Sequence, residues 1–182
     1  MDRSRNLLLR TSKIVISIIL AAISAYFLVW SFAMRVKVDS HSMDDAITIN
    51  DTVLVNRISY KFGDADRYDV VCFKYGKDKE VTSIKRVIGL PSETVQIKNG
   101  DVYINSKKLD MPYSNSKYAV AGLAERPILL GPDEYFLLGD KNDSSEDSRF
   151  EAVGPVNIED IEGKVWVRIL PISRFEFNPG GK

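Results

Sequence analysis

Any chemistry in this chain has to be built from a narrow set of side chains. One histidine, His41, and one cysteine, Cys72, stand among 182 residues. A Ser-His-Asp triad needs an imidazole folded back onto the serine hydroxyl. His41 lies between Ser40 and Ser42, and neighbouring side chains of an extended segment point to opposite faces. It is badly placed to serve as base for either serine. Cys72 sits in the apolar run VVCF, which predicts a buried, inert thiol. A lone cysteine also forbids an internal disulfide and any thiolate-rich zinc or iron–sulfur site. What remains is a serine nucleophile with a lysine base. An ordinary lysine, with a pKa of about 10.4, is protonated at neutral pH; lowering it by ~2 units takes ~2.7 kcal/mol, which burial can supply. Lys85, in the apolar stretch VTSIKRVIG, is placed for such desolvation. Residue type alone does not select a pair, since most serines form turns and most strand lysines run out to solvent.

A metal alternative is weaker. Asp140, Asn142, Ser144 and Glu151 fall at positions 1, 3, 5 and 12 of a calcium-loop pattern. Ser145 stands where that loop needs glycine, and the upstream EYFLLG reads as a strand ending in a turn. Neither a metal nor any other cofactor is expected. Lys+Arg and Asp+Glu balance at 25 each, so the basic field that nucleic acid requires is missing.

The elements that must position these residues begin with an apolar run. From Ile14 to Met34 there is no charge, and as a helix this length spans about 31 Å, matching a bilayer core. Tyr26, Phe27, Trp30 and Phe32 gather near its end, where an aromatic belt would sit. Arg3, Arg5, Arg10 and Lys13 precede it against Asp2 alone, while the rest of the chain is acidic by the same margin. The positive-inside rule then predicts a cytoplasmic tail (1–13), a transmembrane anchor (14–34) and an extracytoplasmic domain (35–182). A cleaved signal peptide is disfavoured, because the run exceeds the roughly 7–15 residues of a signal core. Beyond it, residues 52–58, 69–75, 81–89 and 164–170 are β-branched and aromatic-rich strands. Asn99-Gly100 fits a type I′ turn between strands at 94–98 and 101–104. Residues 110–127 read as a long surface excursion, and the NPGGK tail as frayed. The expected fold is mainly β: an antiparallel, barrel-like domain following one N-terminal transmembrane helix.

Three segments in order carry a family resemblance: SHSM at 40–43, SIKRVIGLPSE at 83–93 and GDKNDSSEDSR at 139–149. Set behind a short tail and an anchor, they resemble the bacterial type I signal peptidases, from about residue 10 to residue 172. The resemblance implies Ser42 as nucleophile and Lys85 as general base. It implies Ser40 as an oxyanion donor beside the Ser42 backbone N–H, and Ser145 as the serine that orients the lysine. Asp147 and Arg149 match the supporting ion pair, and Met43 and Ile84 would contribute to shallow substrate pockets. The activity implied is cleavage of signal peptides from exported preproteins with small residues at the first and third positions before the cut. The lipid bilayer would be the other partner.

The chain also departs from that family's pattern. Ser42-Met43 is followed by Asp44-Asp45-Ala46 in place of x-Pro-Thr, and Asp39 stands where many members have proline. Lys141, Asn142 and Ser144 replace Asn, Arg and Asn. Acids beside Ser42 are expected to hold Lys85 protonated, opposing catalysis. That motivates a non-enzymatic alternative, a catalytically weak relative acting as an assembly or binding factor for surface proteins. A Ser-Lys self-cleaving repressor is a third reading, which the anchor disfavours.

Overall fold

The structure, a computed structural model, describes residues 2–44, 46–114, 117–141 and 146–181, without the side chains of 2–9 and 28–31. The chain divides into two compact units, 1–33 and 34–182. The first is one helix, α1 (Asp2–Phe32). Among the described residues it is the one helix long and apolar enough to cross a membrane, over Arg10–Phe27. Its apolar side chains, among them Ile16, Ile19, Ile23 and Phe27, are exposed around the helix.

The second unit is β-rich. Its strands are β1 (Ala33–Lys37), β2 (Thr52–Asn56), β3 (Val70–Tyr75), β4 (Val81–Gly89), β5 (Thr94–Lys98) and β6 (Asp101–Ile104). They continue as β7 (Lys107–Lys108), β8 (Ile128–Leu129), β9 (Glu134–Leu138), β10 (Val156–Asn157), β11 (Ile161–Leu170) and β12 (Glu176–Phe177). The larger sheet runs β1-β2-β11-β3-β4-β9-β10, with β12 added against β11; the smaller runs β7-β6-β5-β8. The ladders from β2 onward are antiparallel. The fold is therefore mainly β and antiparallel, as the sequence predicts, but the larger sheet has two free ends and does not close into a barrel. β11 pairs β2 on one side and β3 on the other, with register shifts near Val165–Val167 and Arg168–Leu170 that bend it.

Side-chain alternation explains the unbroken apolar run of β3. Val70 and Cys72 enter one cluster with Val53, Val55, Ile84 and Val165. Val71 and Phe73 enter a second with Val87, Tyr135 and Leu137. Strands buried on both faces lose the polar half of the period. A third cluster joins Val95, Ile97 and Val102 of the small sheet to Ile88, Phe136 and Leu138. Asn99 and Gly100 both have positive φ, 52° and 79°, as a type I′ turn requires.

Two boundaries differ from the sequence expectation. The helix ends at Phe32, and Ala33 and Met34, read as the end of the anchor, begin β1. Met34 and Val36 are half-buried against the cluster of β2, β3 and β11; a strand that buries its apolar side chains outcompetes one more turn of helix. The tail is tied down rather than frayed. Gly180 accepts from Arg86 Nη1 at 2.6 Å, the Asn178 N–H donates to the Trp166 carbonyl, and Pro179 is buried. Gly180 has φ +74°, and a Cβ there would lie 2.5 Å from that of Ala46, so only glycine fits.

Candidate active site

Ser42 sits in the connection between β1 and β2. Bonds from the Asp44 N–H to the His41 carbonyl and from the Ala46 and Ile47 N–H groups to the Met43 carbonyl fold this segment into tight turns. Its base is pinned by Val38 N–H to Asp51 O and Asn50 N–H to Val38 O, each 2.9 Å. Arg168 of β11 reaches in to the Ala46 carbonyl at 2.8 Å and to Asp51 at 3.3 Å.

Lys85 lies in the middle of β4, opposite Val71 of β3, with β9 pairing the following residues from the other side. It is 1% exposed, and its Nζ is 2.5 Å from Ser42 Oγ. Ser40 Oγ is 3.1 Å from Ser42 Oγ. Burial is the main influence on the Lys85 amine and pushes its pKa down to about 8. Asp147, Glu146 and Asp39 oppose that shift, and Arg149 assists it. The arrangement thus holds a hydroxyl against an amine that is neutral in a large fraction of molecules near pH 8.

The charged residues around this pair are held in place. Arg149 grips Asp147 through Nε and Nη2, at 2.9 and 2.8 Å, and donates from Nη1 to the Val120 carbonyl. The pair is almost wholly buried. Its guanidinium also lies 4.9 Å from the Tyr118 ring. Ser145, expected to orient the lysine, lies outside the described residues, as do Asp45, Asn142 and Ser144. Met43 and Ile84 pack into the cluster of β2, β3 and β11 at 1% and 7% exposure. Ile84 also lines, with Ser40, a groove of about 380 Å³ between residues 36–40 and 80–84.

Asp44 does not face the lysine as expected. Its carboxylate takes hydrogen bonds from Lys141 Nζ at 2.8 Å and His41 Nδ1 at 2.9 Å. Burial works against its ionisation, but these two partners hold its pKa below the ordinary value. Asp140, first in the calcium-like pattern, is instead forked by Arg86 Nε and Nη2 at 2.7 and 2.5 Å. The Cys72 thiol is fully buried, and burial pushes its pKa up to about 12.

Sequence reasoning passed over Arg86, the residue after Lys85. Besides Asp140 it reaches the carbonyls of Tyr68 and Gly180, and it stacks 3.8 Å from the Tyr113 ring centre. An arginine inside an apolar strand is itself a signal, because a buried guanidinium must find a carboxylate. Glu146, whose carboxylate accepts from the Tyr75 hydroxyl at 2.7 Å, was also missed.

The sequence profile of the family described as signal peptidase, peptidase S26, matches residues 11–170. A signal peptidase IB of Staphylococcus aureus is 31% identical over 180 residues, covering 91% of this chain and 90% of that protein. A probable signal peptidase I-2 of Synechocystis sp. is 34% identical over 142 residues, 75% of this chain but only 63% of that protein's length. The crystal structure of a signal peptidase I from Enterococcus faecalis is 27% identical, with a TM-score of 0.46 over 57% of this chain and 97% of that one. The profile extends across the β1–β2 connection, β4 and the segment after β9: with these relatives, this chain belongs to the signal peptidase I family.

Proposed function

We propose that the protein is a membrane-bound serine endopeptidase that removes signal peptides from exported preproteins. Ser42 Oγ is the nucleophile and neutral Lys85 its general base. The observation that carries this reading is the 2.5 Å contact between a hydroxyl and a buried amine whose pKa lies near 8. Lys85 takes the hydroxyl proton as Ser42 attacks the scissile carbonyl, and returns it to the departing amine. Water activated by the same amine then hydrolyses the acyl-enzyme. The Ser42 N–H and the Ser40 hydroxyl stabilise the developing oxyanion, a role worth ~3–4 kcal/mol per donor in other enzymes. Ser145 orients the lysine, and the Asp147–Arg149 pair holds the segment that carries it.

An extended substrate lies in the groove between residues 36–40 and 80–84. Alternate side chains of an extended chain point the same way, so the first and third residues before the cut face inward together and must be small. Met43 and Ile84 back that surface. The apolar α1 anchors the protein in the bilayer, with its N-terminus cytoplasmic and the β domain outside.

The test is cleavage of a synthetic preprotein by the purified full-length protein beside Ser42→Ala and Lys85→Ala. Both variants are expected to lose activity, and combining them to add little. Substantial cleavage by Lys85→Ala would rule out the proposed base. Binding without cleavage by the wild type would favour the assembly-factor reading.

A further inference from the structure

We propose that Asp44 and Lys141 are positioning residues for Ser42, their ion pair fastening the serine's turn to the segment that follows β9. The inference rests on Ser42 being the nucleophile. Lys141 grips the turn twice. Its backbone N–H donates to the Ser42 carbonyl at 3.0 Å, and its Nζ donates to Asp44 Oδ2 at 2.8 Å. Asp44 also takes the His41 Nδ1 contact at 2.9 Å, so the residue before Ser42 and Lys141 converge on the carboxylate two residues after the serine. Asp140, the residue before Lys141, forks Arg86, the residue after Lys85. Two consecutive residues therefore hold the serine turn on one side and the lysine strand on the other.

The family pattern stiffens this turn with a proline that is missing here, and it carries Asn at the position of Lys141. A proline restricts a turn from within by fixing φ. An ion pair to another segment restricts it from outside. Lys141 is 41% exposed at its side chain and Asp44 16%, so the pair adds little to global stability. A small displacement of a nucleophile nonetheless has a large effect on rate. The separation between those two effects is what makes the role measurable.

The experiment compares full-length wild type with Asp44→Asn, Lys141→Met and the exchanged double variant Asp44→Lys/Lys141→Asp on one preprotein. Each single variant is expected to lower kcat about tenfold, leaving KM and melting temperature nearly unchanged. The exchanged pair should recover most of that loss. Wild-type kcat in the single variants overturns the proposal, and so does an exchanged pair no better than either one. Hydrogen exchange at the backbone amide of residue 141, which bonds the Ser42 carbonyl, gives a readout that needs no activity. It should speed up in both single variants, and unchanged exchange also overturns the proposal. A wild type that cleaves nothing would count against the peptidase reading alone, leaving the amide exchange to decide the tether.

Discussion

The Lys85 amine is 1% exposed, and among the described residues no carboxylate bonds its nitrogen, so its ammonium is costly to the fold. The folded chain disfavours the Lys85 ammonium, lowering its pKa to about 8, whereas the unfolded chain restores about 10.4. Below pH 8 both states hold the proton, and the folded state bears the whole penalty. Between pH 8 and about 10.4 the unfolded state binds more protons, so stability contributed by this site rises with pH. Urea unfolding of wild type and Lys85→Met should show this directly. The variant's advantage should shrink across that interval by an amount on the order of 3 kcal/mol. An advantage that does not change with pH would mean that the amine is not depressed. The rate should follow the same group, with kcat/KM rising through pH 8. Lys85→Arg should be inactive because a guanidinium keeps its charge. Asp39 and Glu146 both favour the protonated amine. Asp39→Asn should therefore move the pH–rate profile to lower pH, and a shift upward would contradict the electrostatics.

At the scale of elements, the site is braced by ion pairs, some buried and some joining distant segments. Arg149 and Asp147 are 1% and 0% exposed at their side chains, so Arg149→Met leaves a buried carboxylate without its partner. The expected cost is about 3–5 kcal/mol, read as a large fall in denaturation midpoint. Lys117→Ala, at an exposed pair with Asp101, should leave that midpoint nearly unchanged. Pairs that join distant segments, unlike Asp147–Arg149, also mark where the sequence ceased to be legible. The β5–β6 hairpin and strands β2, β3, β4 and β11 were readable because composition and turn chemistry are local. Cys72 was readable for the same reason. β1 was not, since Ala33 and Met34 continue an apolar run and only packing against the sheet turns them into a strand. The Asp44–Lys141 contact joins positions 97 apart and Arg86–Asp140 joins positions 54 apart. No local pattern announces such partners, and Asp44, expected to act on Lys85, pairs with Lys141 instead. The frayed tail failed likewise, because the guanidinium that donates to the Gly180 carbonyl belongs to Arg86, far away in sequence on β4.

For the whole molecule, an apolar helix exposed around its circumference has no core of its own to bury it. A bilayer is the environment that matches its length and composition, and the basic residues before it set the proposed direction. The protein should stay in the membrane pellet after an alkaline wash, and protease added to spheroplasts should digest the β domain. Release by the wash would argue for a cleaved signal peptide. The chain is also short between helix and site. α1 ends at Phe32 and β1 begins at Ala33 with no linker between them. Ser42 follows about ten residues on, at most ~36 Å of extended chain. A signal peptide still embedded in lipid presents its cut near the surface, within such a reach. A flexible Gly/Ser insertion between Phe32 and Ala33 interrupts neither α1 nor β1 and breaks only that constraint. It should slow cleavage of membrane-bound preproteins by lowering the local concentration of the site at the surface, while short soluble peptides are cut at the wild-type rate. Equal slowing of both substrates would show that the insertion damages the domain, and equal rates for both would show that tethering at short range has no part in substrate access.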